Sequence, residues 1–230
     1  MVRWNVRLQI QEDLAGAFPG LRVLELKMED LVVHKTDGTL EEYKNEVQER
    51  VRKTTPPLSE VKDLQVFRAY RDFFWRVGVD PTKTRPAGEA LTRRVLSGGS
   101  IPTINTFVDS YNLASLETHV AVAAFDLSRV DESALLMRRT TPGEAFLGIG
   151  MPSPIKLKGA EIVIEDLRSH KLVAVYPYRD SDDSKVTEES RDVLLMMCGV
   201  PGLDLSTLER TRAVCREYVE RFCKRSKDKG

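Results

Sequence analysis

YRDFFWRVGVDPTKTRPAGEALTRRVLSGGSIPTINTFVDSYN, running from Tyr70 to Asn112, is the stretch whose reading decides the fold. It holds an aromatic helix end, a turn rich in Pro and Thr, a basic helix and a helix with three short polar side chains. Asn105, Asp109 and Asn112 recur at i, i+4 and i+7, which on a helix gives one face. Ile104, Phe107, Val108, Tyr111 and Ala114 form the opposite, apolar stripe of a helix laid on a core. Asn and Asp are poor helix formers, and surface helices favour Glu, Lys and Arg instead. The polar face therefore reads either as one wall of a site or as a solvated surface.

Outward from that stretch the periodicity changes twice. Towards the N-terminus, Val2, Trp4, Val6, Leu8 and Ile10 alternate as in a strand, and Asp13 to Phe18 reads as a short helix stopped by Pro19 and Gly20. LRVLELKMEDLVV, from Leu21, is a second strand running to the turn Thr36, Asp37, Gly38. Leu40, Tyr43, Val47 and Val51 then take helical spacing up to Pro56 and Pro57, and a second helix spans Ser59 to Trp75. Pro86 opens a helix that buries Ala87, Ala90, Leu91 and Val95 and ends at Gly98. Lys83, Arg85, Arg93 and Arg94 cluster here; they either hold a phosphate backbone or pair with neighbouring carboxylates.

Towards the C-terminus five short strands are expected, over residues 120–125, 134–139, 143–149, 160–166 and 171–178. Strands that follow a helix-rich first half indicate an α+β domain. Asp180, Asp182 and Asp183 crowd a polar loop, where adjacent carboxylates repel and one can hold a proton or bind a ligand. Thr187 is expected to cap a helix that turns Val193, Leu194, Met197 and Cys198 inward. A last helix begins with the capping box Ser206 and Glu209 and buries Leu208, Cys215, Tyr218, Val219 and Phe222.

Composition narrows the function classes. The 230 residues carry 35 acidic and 35 basic side chains, so any RNA-binding surface must be local. No run approaches the length of a membrane span, and MVRWNVRLQI lacks the apolar segment of a signal peptide. Cys198, Cys215 and Cys223 form no CxxC pair, and His34, His119 and His170 are scattered. Reduced core cysteines in a cytoplasmic protein with no metal site and no cofactor are the expectation. Walker A, GxGxxG, GxSxG and HExxH patterns are all absent.

Taken together, YRDFFWRVGVDPTKTRPAGEALTRRVLSG, INTFVDSYNLAS, AFDLS and YRDSDDSKVTEESRDVLLMMCGVPG resemble the stand-alone relatives of the B3/B4 domain, the editing and tRNA-binding domain of the phenylalanyl-tRNA synthetase beta chain. The resemblance implies a three-layer β/β/α sandwich. It implies a single domain over 1–230, with the family core at about 60–205, a C-terminal helix over 206–225 and a frayed tail over 226–230. It places Asn105, Asp109 and Asn112 beside a pocket and Asp182, as the recognising acid, with Thr187 in the segment that recognises the misattached amino acid; Asp182 or Asp180 can bind an ammonium or orient water, and with Thr187 they form the expected catalytic set. Arg71 and Arg179 join the substrate-binding set, and Ala123 stands where the synthetase has a histidine.

An aminoacyl ester is already activated, so such a site needs a positioned water and oxyanion donors rather than a nucleophile. The implied function is tRNA binding, with hydrolysis of mischarged aminoacyl-tRNA in trans. The alternative is a small-molecule binding protein that kept the pocket but not the tRNA. The implied partners are tRNA and a small-molecule or aminoacyl ligand, with no membrane and no DNA. Nothing in the chain resembles a complete aminoacyl-tRNA synthetase.

Overall fold

A computed structural model describes residues 8–224. The chain runs β1 (Leu8–Ile10), α1 (Glu12–Ala17), β2 (Arg22–Met28), α2 (Gly38–Thr54), α3 (Gln65–Arg76), α4 (Ala87–Leu96) and α5 (Thr106–Thr118). It continues through β3 (Val122–Asp126), β4 (Leu135–Arg139), β5 (Ala145–Phe146), β6 (Ile155–Lys156), β7 (Ile162–Asp166), β8 (Lys171–Tyr176), β9 (Arg179–Asp180), β10 (Val193–Gly199) and α6 (Leu205–Cys223).

Two of the described helices, α2 and α5, begin at side-chain caps. The Asp37 carboxylate accepts from Leu40 N–H at 2.8 Å and starts α2, which stops before Pro56 and Pro57. Asn105 accepts from Val108 N–H at 2.9 Å, and α5 closes with His119 in the left-handed region at φ 65°. Residues 187–198 differ from expectation. Thr187 to Ser190 form a turn, and Val193–Gly199 is a strand rather than the inward face of a helix. Every residue of β10 is buried, because it is central in its sheet and covered on both sides. Such a strand reads as a continuous apolar run without alternation. At α6 the N-cap is Asp204, so Ser206 and Glu209 lie inside the helix and form no capping box. The expected strand at residues 2–6 and the tail at 226–230 lie outside the described residues.

Two sheets and a helical layer give the three-layer β/β/α sandwich. The larger sheet has the order β1-β4-β7-β8-β9, antiparallel except where β1 runs parallel to β4. The smaller has β10 between β2 and β3, antiparallel to both, with Leu195 opposite Leu26 and Ala124. Helix α6 lies along β2 and β10, and α5 lies against β3 and α6. Tyr176 joins the sheets: its hydroxyl donates to Gly199 O at 2.7 Å while its ring meets Phe73 edge-on. Phe107, Leu113, Phe125, Leu194 and Val219 are fully buried in the shared core, each contributing about 1.5–3 kcal/mol of transfer free energy.

Candidate functional site

Among the described residues, Asp180 and Tyr111 meet where β9, the edge of β3 and α5 come together. Strand β3 lies at the edge of its sheet, so the N–H of Ala124 points away from β10. A carboxylate meets it: Ala124 N–H donates to Asp180 Oδ2 at 3.1 Å. The other Asp180 oxygen has no partner among the described residues. Burial pushes the Asp180 carboxyl up to about 7, and the Ala124 N–H only partly opposes this. Asp180 nevertheless keeps solvent-accessible surface.

Tyr111 has the same character. Its phenol is raised by burial first and then by the negative charges of Asp180 and Asp109, and it too keeps accessible surface. Its ring rests edge-on against Phe107 at 5.9 Å, and its hydroxyl has no hydrogen-bond partner among the described residues. The next residue, Asn112, is partly exposed on a helix that is otherwise almost wholly buried. Its carboxamide is likewise unpaired among the described residues. The buried Cys198 thiol lies near the same carboxylate, raised by burial and by the Asp180 charge. Asp180 and Tyr111 thus bring one carboxylate oxygen and one phenol near each other beside the edge of β3, both partly accessible.

The other expected site residues are committed elsewhere. Asn105 is the N-cap of α5 rather than a residue of its helical face, and its Nδ2 donates to Val186 O at 3.5 Å. Asp109 is 1% exposed; it accepts from Ile104 N–H at 2.9 Å and from Lys44 Nζ at 3.0 Å. Lys44 is itself buried and also donates to Thr103 Oγ1 and Glu41 at 2.9 Å each and to Pro102 O at 3.4 Å. Nothing in the spacing of α2 marks Lys44 as internal, since Lys at that register normally solvates a face.

Asp182 forms an ion pair with Lys185 at 2.8 Å in a partly exposed turn. Thr187 Oγ1 accepts from Glu189 N–H at 3.3 Å, and its own N–H donates to Ser190 Oγ. Arg179 donates to Ile149 O at 3.1 Å, and its stem crosses Gly148, where a Cβ would stand 2.2 Å from Arg179 Cδ.

Of the basic cluster, Arg93 donates to Glu89 at 2.8 Å, and Arg71 reaches the same carboxylate at 3.2 Å. Glu89 is fully buried, so both guanidiniums are tied to an internal charge. Lys83 is 4.0 Å from Asp80 with a side chain 84% exposed, while Arg85 and Arg94 are exposed. A separate surface cavity of about 630 Å³ is lined by charges that pair within its own wall, Lys27 with Glu132 and Arg168 with Asp131. None of the described helices is long and apolar enough to cross a membrane.

The B3/4 domain family model matches residues 69–229. The structure is similar to the crystal structure of an N-terminal fragment of the phenylalanyl-tRNA synthetase beta-subunit from Pyrococcus horikoshii, with a TM-score of 0.51 and 13% identity over 97% of this chain and 51% of that one. At that identity the likeness is one of fold, and this chain spans about half the length of that structure. No curated protein sequence matches the chain. With the family model covering well over half of its residues and the matching fold beneath them, the chain belongs to the B3/4 domain family.

Proposed function

We propose that this protein binds the amino-acid end of an aminoacyl-tRNA beside Asp180 and hydrolyses the ester in trans. The observation that carries the reading is Asp180 itself. One of its oxygens is anchored on Ala124 N–H, and the other is unpaired among the described residues, with the Tyr111 phenol near enough to feel its charge. A carboxyl near 7 exchanges protons readily at neutral pH, which suits a general base. In this scheme the free Asp180 oxygen takes a proton from water. The water oxygen attacks the ester carbonyl, the bond to the ribose oxygen breaks, and the proton is returned to that oxygen. Tyr111 and Asn112 donate to the carbonyl oxygen as it gains charge. Asp182 and Thr187 shape the loop that follows Asp180, and Lys83, Arg85 and Arg94 supply exposed charge for the RNA backbone.

A second reading has its own observation. Glu89 holds Arg71 and Arg93, so fewer cations face solvent than the sequence count suggests. That favours a free amino acid as the ligand of the same site. Release of amino acid from a panel of correct and mischarged aminoacyl-tRNAs separates the two. Hydrolysis in trans requires selective release that Asp180→Asn abolishes and Asp182→Asn retains. No release from any member, at protein excess and low salt, would overturn hydrolysis. Calorimetric binding of a free amino acid that Asp180→Asn abolishes would then support the second reading.

A further inference from the structure

Strand β2 is the edge of the smaller sheet opposite β3, on the far side of β10 from Asp180. It pairs with β10 without a break from Arg22 to Met28 and contains no proline. Along an antiparallel strand the main-chain groups of successive residues point alternately to its two sides. Cys198 N–H donates to Ala121 O at 2.9 Å on the β3 side, so Val193, Leu195, Met197 and Gly199 point theirs at β2, onto Met28, Leu26, Leu24 and Arg22. Val23, Glu25 and Lys27 then turn their N–H and C=O outward, away from β10. Those of Val23 and Lys27 have no hydrogen-bond partner among the described residues, and both residues keep accessible surface.

An edge of this kind is a template for another strand, and the charges on it deter any partner that does not bring the opposite charges. The sequence of β2 answers its own charges. Laid antiparallel to a second copy about a two-fold axis between the two Leu26 residues, it sets Glu25 of each copy opposite Lys27 of the other and Leu24 opposite Met28. The exposed Arg22 is brought toward the exposed Asp30. In that register Glu25 and Lys27 also form the hydrogen-bonded pair, since both turn their main chain outward. An axis at Glu25 or at Lys27 would instead set that charge against itself. Lys27 can take the contact, because an ammonium has three donors and its neighbours are Glu29 at 2.7 Å and Glu132 at 3.2 Å. We infer that β2 is the interface of a two-fold dimer of this chain, in which two three-stranded sheets continue as one.

Sedimentation equilibrium of the full chain should show a reversible monomer–dimer association. Amide hydrogen exchange at Val23 and Lys27 should slow by about tenfold or more between a dilute, monomeric solution and a concentrated, dimeric one. Leu24 and Leu26, whose N–H groups serve β10, should be protected in both. Lys27→Glu sets like charges opposite each other at two symmetric places and should weaken association by about fivefold or more. Combining it with Glu25→Lys restores opposite charges in the register centred on Leu26, and should recover most of the loss. Unfolding midpoints separate a lost interface from a lost fold, and the exchange measurement on the wild-type protein decides by itself if a variant does not fold. A chain that stays monomeric throughout, a dimer in which Val23 and Lys27 exchange as fast as in the monomer, or a folded double variant no better than Lys27→Glu would each overturn the inference.

Discussion

Replacing Lys44 with Met tests whether Asp109 serves the fold or a ligand. The change removes a cation whose side chain is 2% exposed from a carboxylate that is 1% exposed. Thr103 keeps its bond to Glu41, and Glu41 is 41% exposed and rehydrates, so loss of that pair costs less than about 1 kcal/mol. The Asp109 charge has no such escape. It retains only the Ile104 N–H, and leaving a buried ion unpaired costs about 3–5 kcal/mol. Lys44→Met should therefore lower the urea-derived unfolding free energy by about 3–5 kcal/mol at neutral pH. Adding Asp109→Asn, which keeps the acceptor for Ile104 N–H but deletes the charge, should recover at least about half of that.

The pH dependence has a definite sign. Burial already raises the Asp109 carboxyl, against the opposition of Ile104 N–H and Lys44. A carboxyl raised in the folded state contributes stability that is complete below its unfolded value and lost as pH rises through its folded value. Removing Lys44 moves the folded value higher still, so the deficit of Lys44→Met should widen from about pH 5 to about pH 8. A loss under about 1 kcal/mol, or a double variant no more stable than Lys44→Met, would refute the assignment of Asp109 to the fold.

Other outcomes follow from the same structure. Asp180 has its folded value near 7 and its unfolded value near 3.8, so its contribution falls as pH rises between them. Asp180→Asn should remove that slope and stabilise the protein at alkaline pH by up to about 4 kcal/mol, read by chemical denaturation across pH. Gly88→Ala would place a Cβ 2.4 Å from His119 O, where the α4 backbone meets the end of α5. Neither backbone can yield cheaply, so the unfolding midpoint should fall by an amount equivalent to about 1–3 kcal/mol or more, measured calorimetrically. Cys198, Cys215 and Cys223 are buried, with the Cys215 and Cys223 thiols pushed up to about 12 and about 11 by burial. All three should react with a thiol reagent only as fast as the protein opens, and fast labelling of any one in native buffer would contradict the buried placement.

The helices were legible because their signals are local. Pro86 marks a helix start, and the apolar spacing of α2 and α6 matches their buried faces, whereas α5 buries polar residues such as Asp109 and Ser110 and leaves Ile104 exposed. Strand β10 was not legible, since VLLMMCG buries both faces and a continuous apolar run fits a buried helix as well as a central strand. Asp180 drew notice through its crowded polar loop, whereas Tyr111 read as core stripe and Asp109 as pocket wall; Asp109 is instead buried and bound to Lys44. Their true roles depend on long-range partners, Asp180 for Tyr111 and Lys44 for Asp109, and no periodicity in either segment encodes those contacts. Sequence position also could not show that Glu89, sixteen residues before Asn105, would take Arg93 out of the four-cation cluster and Arg71 out of the substrate-binding set rather than leave them for a ligand.

The most direct test of the proposed site is a pH titration of carbon-13-labelled aspartate carboxyls by NMR, with Asp180→Asn used to assign the Asp180 signal. The titration is repeated with a non-hydrolysable aminoacyl-adenosine analogue. The account predicts an Asp180 midpoint near 7 that moves when the analogue binds. A midpoint near the ordinary value of 3.8, unmoved by the analogue, would contradict it.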